Sequence, residues 1–330
     1  MHCELVVPGL FAGEAGAPLP AIELLLARAR GSSAERCTLR GWLHETFGLG
    51  EAPHPAGALT VLGAGGDPGD ACWTRADPAH LRVMRDRLVL VPGHALAIRD
   101  DEAAALCEAL DRHFAPHSRF RRIDAVRWCA QLAEDASYET DCPLDIAGRD
   151  VDLARPAQRG AAHRLLNEAQ MLLHDHPVNA AREARGEPAI NSIWLWGAGR
   201  RPREVSARWQ SVSADEPLAL GLGRAGGART LALPASARDW LEQAPPQGRH
   251  LVVLDALRAP LALGEAAEHR EALARLERDW FAPLLAALRA GRIGMLSVHV
   301  PDGPDCMCYE AIRGDLRRFW RRPRRLQAYG

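Results

Sequence analysis

A chain of 330 residues, 47% hydrophobic and 25% charged, has the make-up of an ordinary globular protein and is long enough to bury a large core without disulfide staples. A formal net charge of −1 supplies no overall field toward nucleic acid or membrane, so neither is expected as a partner. All 41 basic residues are arginine, which excludes a lysine Schiff base and a P-loop lysine.

The eight cysteines are scattered, as reduced thiols are, and no basic leader or apolar run of roughly 18 to 20 residues is seen, so a cytoplasmic protein is expected. In chain order, residues 5–10 read as a short strand ending at Pro8-Gly9. Residues 22–29 and 39–47 read as helices. Residues 59–62 run into a glycine-rich loop, 63–69, with Asp67 inside it and Asp70 just beyond; no Lys-Ser/Thr follows, so it is not a P-loop.

Residues 88–91 form a candidate strand. Asp100, Asp101 and Glu102 open a helix reaching about residue 114, with acids where the helix dipole favours them. Arg75 and Arg127 lie close to Trp73 and Trp128; each arginine suits phosphate or stacking on a neighbouring ring. A helix over 161–173 is closed by His174-Asp175-His176-Pro177, and 180–188 is a polar lead-in.

Asn191 to Gly199 is an apolar, aromatic-rich run ending in Gly197-Ala198-Gly199, followed by Arg200 and Arg201. It reads as a buried strand feeding a tight turn. Glycines and arginines there either bind an anion or simply close a core strand at the surface.

Residues 218–222 and 230–233 read as short strands or turns, and 236–244 as a helix. Residues 250–255 are the clearest parallel-strand signal, an apolar run ending in the carboxylate of Asp255. A helix over 265–290 stops at Gly291. Residues 294–303 form a further strand carrying His299, with Asp302 beyond it. His299, Asp302, Asp305, Cys306 and Cys308 are zinc-compatible types, but a Cys-x-Cys without a second knuckle is a weak metal signature. The arginine-rich tail, 313–325, with Phe319 and Trp320, reads as a terminal helix with a solvated or acid-paired face. Strands alternating with helices imply a mainly parallel α/β sheet.

The run 191–199, with Arg182-Glu183-Ala184-Arg185-Gly186 and His176-Pro177-Val178-Asn179 before it, resembles the archaeal-type cofactor-independent phosphoglycerate mutases. Together with residues 70–81 and 165–174 it resembles, more closely, a bacterial branch of RpfE-type regulatory proteins over nearly the whole chain. The resemblance implies an alkaline-phosphatase-like α/β core, a mainly parallel sheet with helices on both faces, formed by 1–65 and 186–330. It also implies a smaller inserted α+β domain, 66–185. For the mutases it implies two divalent metals, which clamp attacking and leaving oxygens, and a Ser or Thr nucleophile.

Position by position the carry-over is poor. The mutases' first strand ends in Asp-Gly; here the place reads Pro8-Gly9. No Ser or Thr stands in 53–58, where the nucleophile belongs. Asp255 matches the first residue of the next metal motif, but 256–261 supplies no His or Asp. The last strand offers His299 and Asp302. The expectation is therefore a catalytically degenerate, regulatory or anion-binding protein without a cofactor. It would recognise a phosphorylated small molecule through Asp70, Arg75, Arg127, Asn191, Gly197 and Gly199, and a regulatory protein is the other partner expected. The alternative is a Mn- or Zn-dependent phosphomutase or phosphohydrolase using Asp255, His299 and Asp302. A third reading is a nucleic-acid-binding regulator using the tail.

Overall fold

The computed structural model describes residues 1–35, 37–50, 55–84, 87–134, 140–148, 161–301 and 305–330. Their strands, in chain order, are β1 (His2–Val6), β2 (Arg30–Ala34), β3 (Trp73–Met84), β4 (Arg87–Pro92), β5 (Arg119–Arg122), β6 (Trp128–Gln131), β7 (Ser192–Gly199), β8 (Ser211–Ala214), β9 (Arg229–Ala232), β10 (Arg249–Val253), β11 (Met295–Val300) and β12 (Cys306–Ile312). The chain divides into two compact units, Met1–Leu49 with Glu204–Gly330, and Gly50–Arg203.

The first unit holds a seven-stranded sheet in the order β2-β12-β11-β1-β10-β8-β9. From β11 through β1, β10 and β8 to β9 every pairing is parallel; β12 and β2 extend the other edge antiparallel. The fold is thus mixed α/β with a mainly parallel central sheet, as the alternation of apolar runs and helices implies.

One face of β1 carries Cys3 and Leu5, which join Val252, Leu296, Val298 and Tyr309 in the main core. Helix Pro20–Arg28 brings Ile22 and Leu25 to it, and Trp240, Trp280 and Phe281 fill the layer beneath the helices. Removing each such aromatic ring from water contributes roughly 4 to 6 kcal/mol before ordering costs.

The expected helix over 265–290 is present as Ala266–Arg275 and Ala282–Ala290, joined by a wider π turn at Leu276–Phe281. Pro283 explains the turn: it has no N–H, and its ring crowds the carbonyl four residues back. Gly291 closes the helix at φ 79°, as a left-handed stop should.

Several sequence expectations change here. Residues 218–222 are not strand but lie in helix Pro217–Ala225, started by Glu216, whose side chain accepts from Leu218 N. Pro177 likewise opens a helix, Pro177–Ala184, under a His176 cap, where a polar lead-in was expected. The tail is not a helix; it is irregular chain with two short 3₁₀ turns, Asp315–Arg317 and Leu326–Ala328. Cys306 and Cys308, two of the zinc-compatible residues, lie in strand β12.

The second unit holds an antiparallel sheet in the order β4-β3-β6-β5, with β7 on the opposite side of β3. The aromatic run 191–199 is therefore a strand, but it pairs antiparallel with β3 and lies in this unit, not at the carboxyl edge of the parallel sheet. Helices Asp100–Phe114 and Ala161–His174 cover the sheet through Leu106, Leu110, Leu165 and Leu173.

No helix among the described residues is long and apolar enough to cross a membrane.

Candidate functional site

In a parallel sheet, ligands gather where the carboxyl ends of the strands leave backbone and side chains exposed. In the first unit β1 ends there in Val7-Pro8-Gly9, β10 in Leu254-Asp255 and β11 in Val300-Pro301. Backbone bonds lock this edge: Val7 N donates to His299 O at 2.9 Å and Leu254 N to Val6 O at 2.8 Å. Gly9 turns at φ 75°, and a Cβ on it would stand 3.1 Å from Leu261 Cδ2. Asp255 is half-buried, and its carbonyl accepts from Arg258 N at 2.9 Å at the start of the next helix. Asp302 lies outside the described residues.

His299 projects from β11 on the sheet face opposite the main core, 3.7 Å from Glu4 Oε2 and against the Trp42 ring at 5.0 Å. Trp209 and Phe47 complete that cover. Glu4 is the residue the sequence reading missed. It is 1% exposed, and its Oε1 accepts from Arg249 Nη2 at 2.6 Å while Oε2 accepts from Arg208 Nη2 at 3.0 Å. Burial pushes the Glu4 carboxyl up, but the His299 ring, Arg249 and Arg208 overcome this and hold it at about 2. The signal was present: a lone carboxylate inside an apolar strand must have partners. Cys308 faces the same side, opposite His299. Burial and the charges of Glu310 and Glu4 push its thiol up to about 11, which opposes the thiolate that metal binding needs.

The divalent metals implied by the mutase resemblance do not fit these residues. Proline offers no donor at the end of β1, and among the described residues no three His, Cys, Asp or Glu side chains gather in a metal-binding group.

In the second unit, Arg75 is 3% exposed. Its Nη2 donates to Asp77 Oδ1 at 2.8 Å and Oδ2 at 2.9 Å, and its guanidinium lies 4.8 Å over the Trp196 ring. Asp77 also accepts from Trp196 Nε1 at 2.7 Å and Trp128 N at 3.1 Å. Burial pushes the Asp77 carboxyl up, against the pull of Arg75. The pair are two apart on one strand and so share a face. Of the two readings the sequence left open for Arg75, phosphate binding or stacking on a ring, the structure shows the guanidinium stacked on Trp196 and clasped by Asp77. Arg127 donates to Asp124 Oδ2 at 2.8 Å, within the turn joining β5 to β6.

Asn191 caps the β3–β7 ladder: Oδ1 accepts from Leu81 N at 2.8 Å and Nδ2 donates to Leu81 O at 3.1 Å. Gly197 has φ 59°, and a Cβ there would stand 2.5 Å from Ala56 Cβ; one on Gly199 would stand 2.8 Å from Pro55 Cβ. These glycines admit the start of helix Gly57–Gly63 against β7, with Ala56 N donating to Gly197 O at 2.8 Å, so the space a ligand would need is filled by chain.

Asp70 has a different setting. With Asp67, Gly69, Arg201, Pro202 and Arg203 it lines a surface cleft of about 380 Å³. Arg200 Nη1 donates to the Asp70 carbonyl, so the glycine-rich loop and the arginines after β7 meet, though the sequence separates them by 130 residues. Arg201 and Arg203 are exposed at its rim.

No protein-family profile matches the chain. It is 27% identical over 202 residues to the 2,3-bisphosphoglycerate-independent phosphoglycerate mutase of Methanosarcina mazei, an alignment covering 56% of this chain and 49% of that protein. It is 31% identical over 153 residues to the mutase of the same name from Methanothrix thermoacetophila, covering 42% of this chain and 37% of that one. The chain thus spans about half the length of the curated relatives it matches. Its homologues are archaeal-type cofactor-independent phosphoglycerate mutases at low identity. Among solved structures the PH0037 protein of Pyrococcus horikoshii superposes with a TM-score of 0.59 at 14% identity, over 94% of this chain and 87% of that one, a likeness of fold.

Proposed function

We propose that this chain is a catalytically degenerate relative of the cofactor-independent phosphoglycerate mutases. In this reading it binds a phosphorylated small molecule or similar anion and serves a regulatory role, as its resemblance to the RpfE-type proteins implies. The observation that carries the reading is Pro8 at the end of β1, where the resemblance calls for a metal-holding aspartate. A two-metal phosphoryl-transfer centre short of carboxylates cannot balance the ions' charge.

Arg201 and Arg203 at the Asp67–Asp70 cleft are the side chains best placed to receive an anion, because Arg75 and Arg127 already serve Asp77 and Asp124. Guanidinium groups suit phosphate by their bidentate geometry, and Asp67 and Asp70 give the rim a preference against large polyanions. Calorimetric titration with phosphoglycerate tests this. Saturable binding that falls about tenfold or more in the Arg201→Ala/Arg203→Ala protein is expected, a loss on the order of 1.4 kcal/mol. Equal binding by wild type and variant would remove the cleft from the account.

A further inference from the structure

The arginine-rich tail belongs to none of the chemistry above, and its structure is unlike the solvated helix its sequence suggests. It is tied down on both sides of one point. Leu316 and Leu326 are buried in the main core. Arg318 Nη2 donates to Asp315 Oδ1 at 2.7 Å, and Arg321 Nη1 donates to Ala29 O at 2.8 Å, satisfying a carbonyl at the end of helix Pro20–Arg28. Arg28 Nη1 in turn donates to Leu316 O.

Between these tethers Phe319 and Trp320 are held outward, 77% and 66% exposed, although a large apolar core lies beside their neighbours. Their rings meet edge to face, centroids 5.3 Å apart. Arg317, Arg322, Arg324 and Arg325 flank them in the chain and are exposed, and Arg30 on β2, also exposed, comes within 3.7 Å of Asp315 at the start of the same segment. Asp315, the sole acid of the tail, is already engaged by Arg318 and the Ile312 N–H. Two adjacent aromatics exposed in a segment crowded with exposed arginines leave apolar area that the fold does not use.

We propose that this patch docks the protein peripherally on an anionic lipid surface. Phe319 and Trp320 enter the boundary between headgroups and acyl chains while the arginines meet lipid phosphates. The chemistry is that of an interfacial anchor: amphipathic rings prefer the headgroup level, and arginine stems lie along apolar surface with their heads at phosphate. The near-zero net charge does not oppose it, because at physiological salt only charges within about 8 Å of the surface act. Single-stranded nucleic acid is the less apt occupant. Successive bases stack in parallel, whereas these rings stand 81° apart.

The test is co-sedimentation of the full chain with vesicles of phosphatidylcholine alone and of phosphatidylcholine with about one-third phosphatidylglycerol, a cationic patch being drawn to the latter. Wild type is expected to pellet with the anionic vesicles, to stay in solution with the neutral ones, and to be released by 1 M salt, where screening reaches within about 3 Å. Phe319→Ala/Trp320→Ala and Arg322→Glu/Arg324→Glu should each weaken binding by an order of magnitude or more, each lost arginine counting about fivefold. Both pairs are exposed, so melting temperatures should match wild type. The proposal fails if wild type does not pellet with anionic vesicles, if the aromatic double variant binds as wild type does, or if poly-uridine binds through Phe319 and Trp320 and vesicles do not.

Discussion

Replacing Arg182 by methionine should cost the second unit more than any surface change in the chain. Arg182 is wholly buried, and each of its three nitrogens donates: Nη1 to Glu102 Oε2 at 2.7 Å, Nε to Pro188 O at 2.9 Å and Nη2 to Leu96 O at 2.5 Å. Glu102, itself 4% exposed, also accepts from Arg185 Nη2 at 2.7 Å and from Arg99 N at 3.1 Å. Helix Pro177–Ala184 is clasped in this way to the start of helix Asp100–Phe114. Breaking a buried pair by removing one partner costs about 3 to 5 kcal/mol. The lower end applies, because Arg185 and Arg99 still face Glu102 after the substitution. For a unit of this size 3 kcal/mol corresponds to roughly 6 to 12 °C in Tm.

Calorimetric melting, resolved into the transitions of the two units, is the assay. The Arg182→Met/Glu102→Gln double variant should recover part of the loss, since it leaves no buried charge without its partner. A shift below about 2 °C for Arg182→Met would refute the reasoning and reduce the clasp to the worth of a surface pair.

Glu4 predicts an acid limit for the first unit. Its carboxyl falls from 4.5 to about 2 on folding, so its contribution is complete above the unfolded value and is lost as pH drops from about 4.5 toward 2. The full difference is on the order of 3 kcal/mol, less for solvent screening of Arg208 and Arg249, and Glu4→Gln should flatten the fall in Tm across that window. Gly197→Ala meets both a left-handed φ of 59° and a Cβ 2.5 Å from Ala56, and should lower the second unit's stability by about 2 kcal/mol or more; unchanged urea unfolding would contradict the packing role given to that glycine.

Much of the fold is readable from the chain because burial leaves a periodic trace. The runs at β10 and β11 announce parallel strands, and helix Ala237–Gln243 lies where its pattern puts it. Pro177 and Pro217 mislead because proline closes one element and opens another with the same local chemistry. β2, Arg-Gly-Ser-Ser-Ala, carries no large apolar residue; it exists through its pairing with β12, which no local signal reports. The partners of β7 are likewise invisible locally, so the sequence could not decide between a ligand turn and a core strand's end for glycines that pack a helix start against the strand.

The site shows the same division. Pro8 is plain in the sequence, and so is the poverty of ligands after Asp255. The clasp of Arg75 by Asp77 was encoded as an i, i+2 pair on a strand, yet a charged residue beside tryptophan resembles a phosphate receptor equally well until burial is known. Glu4 announced a buried charge, but Arg208 and Arg249 come from more than 200 residues away.

Turnover of phosphoglycerate by the purified chain supplied with Mn²⁺ tests the central claim most directly. The account predicts a rate indistinguishable from the metal-containing buffer alone, unchanged by Asp255→Ala. Metal-dependent turnover that Asp255→Ala abolishes would mean that a working centre forms at the carboxyl edge of the sheet despite Pro8, and the degenerate reading would be wrong.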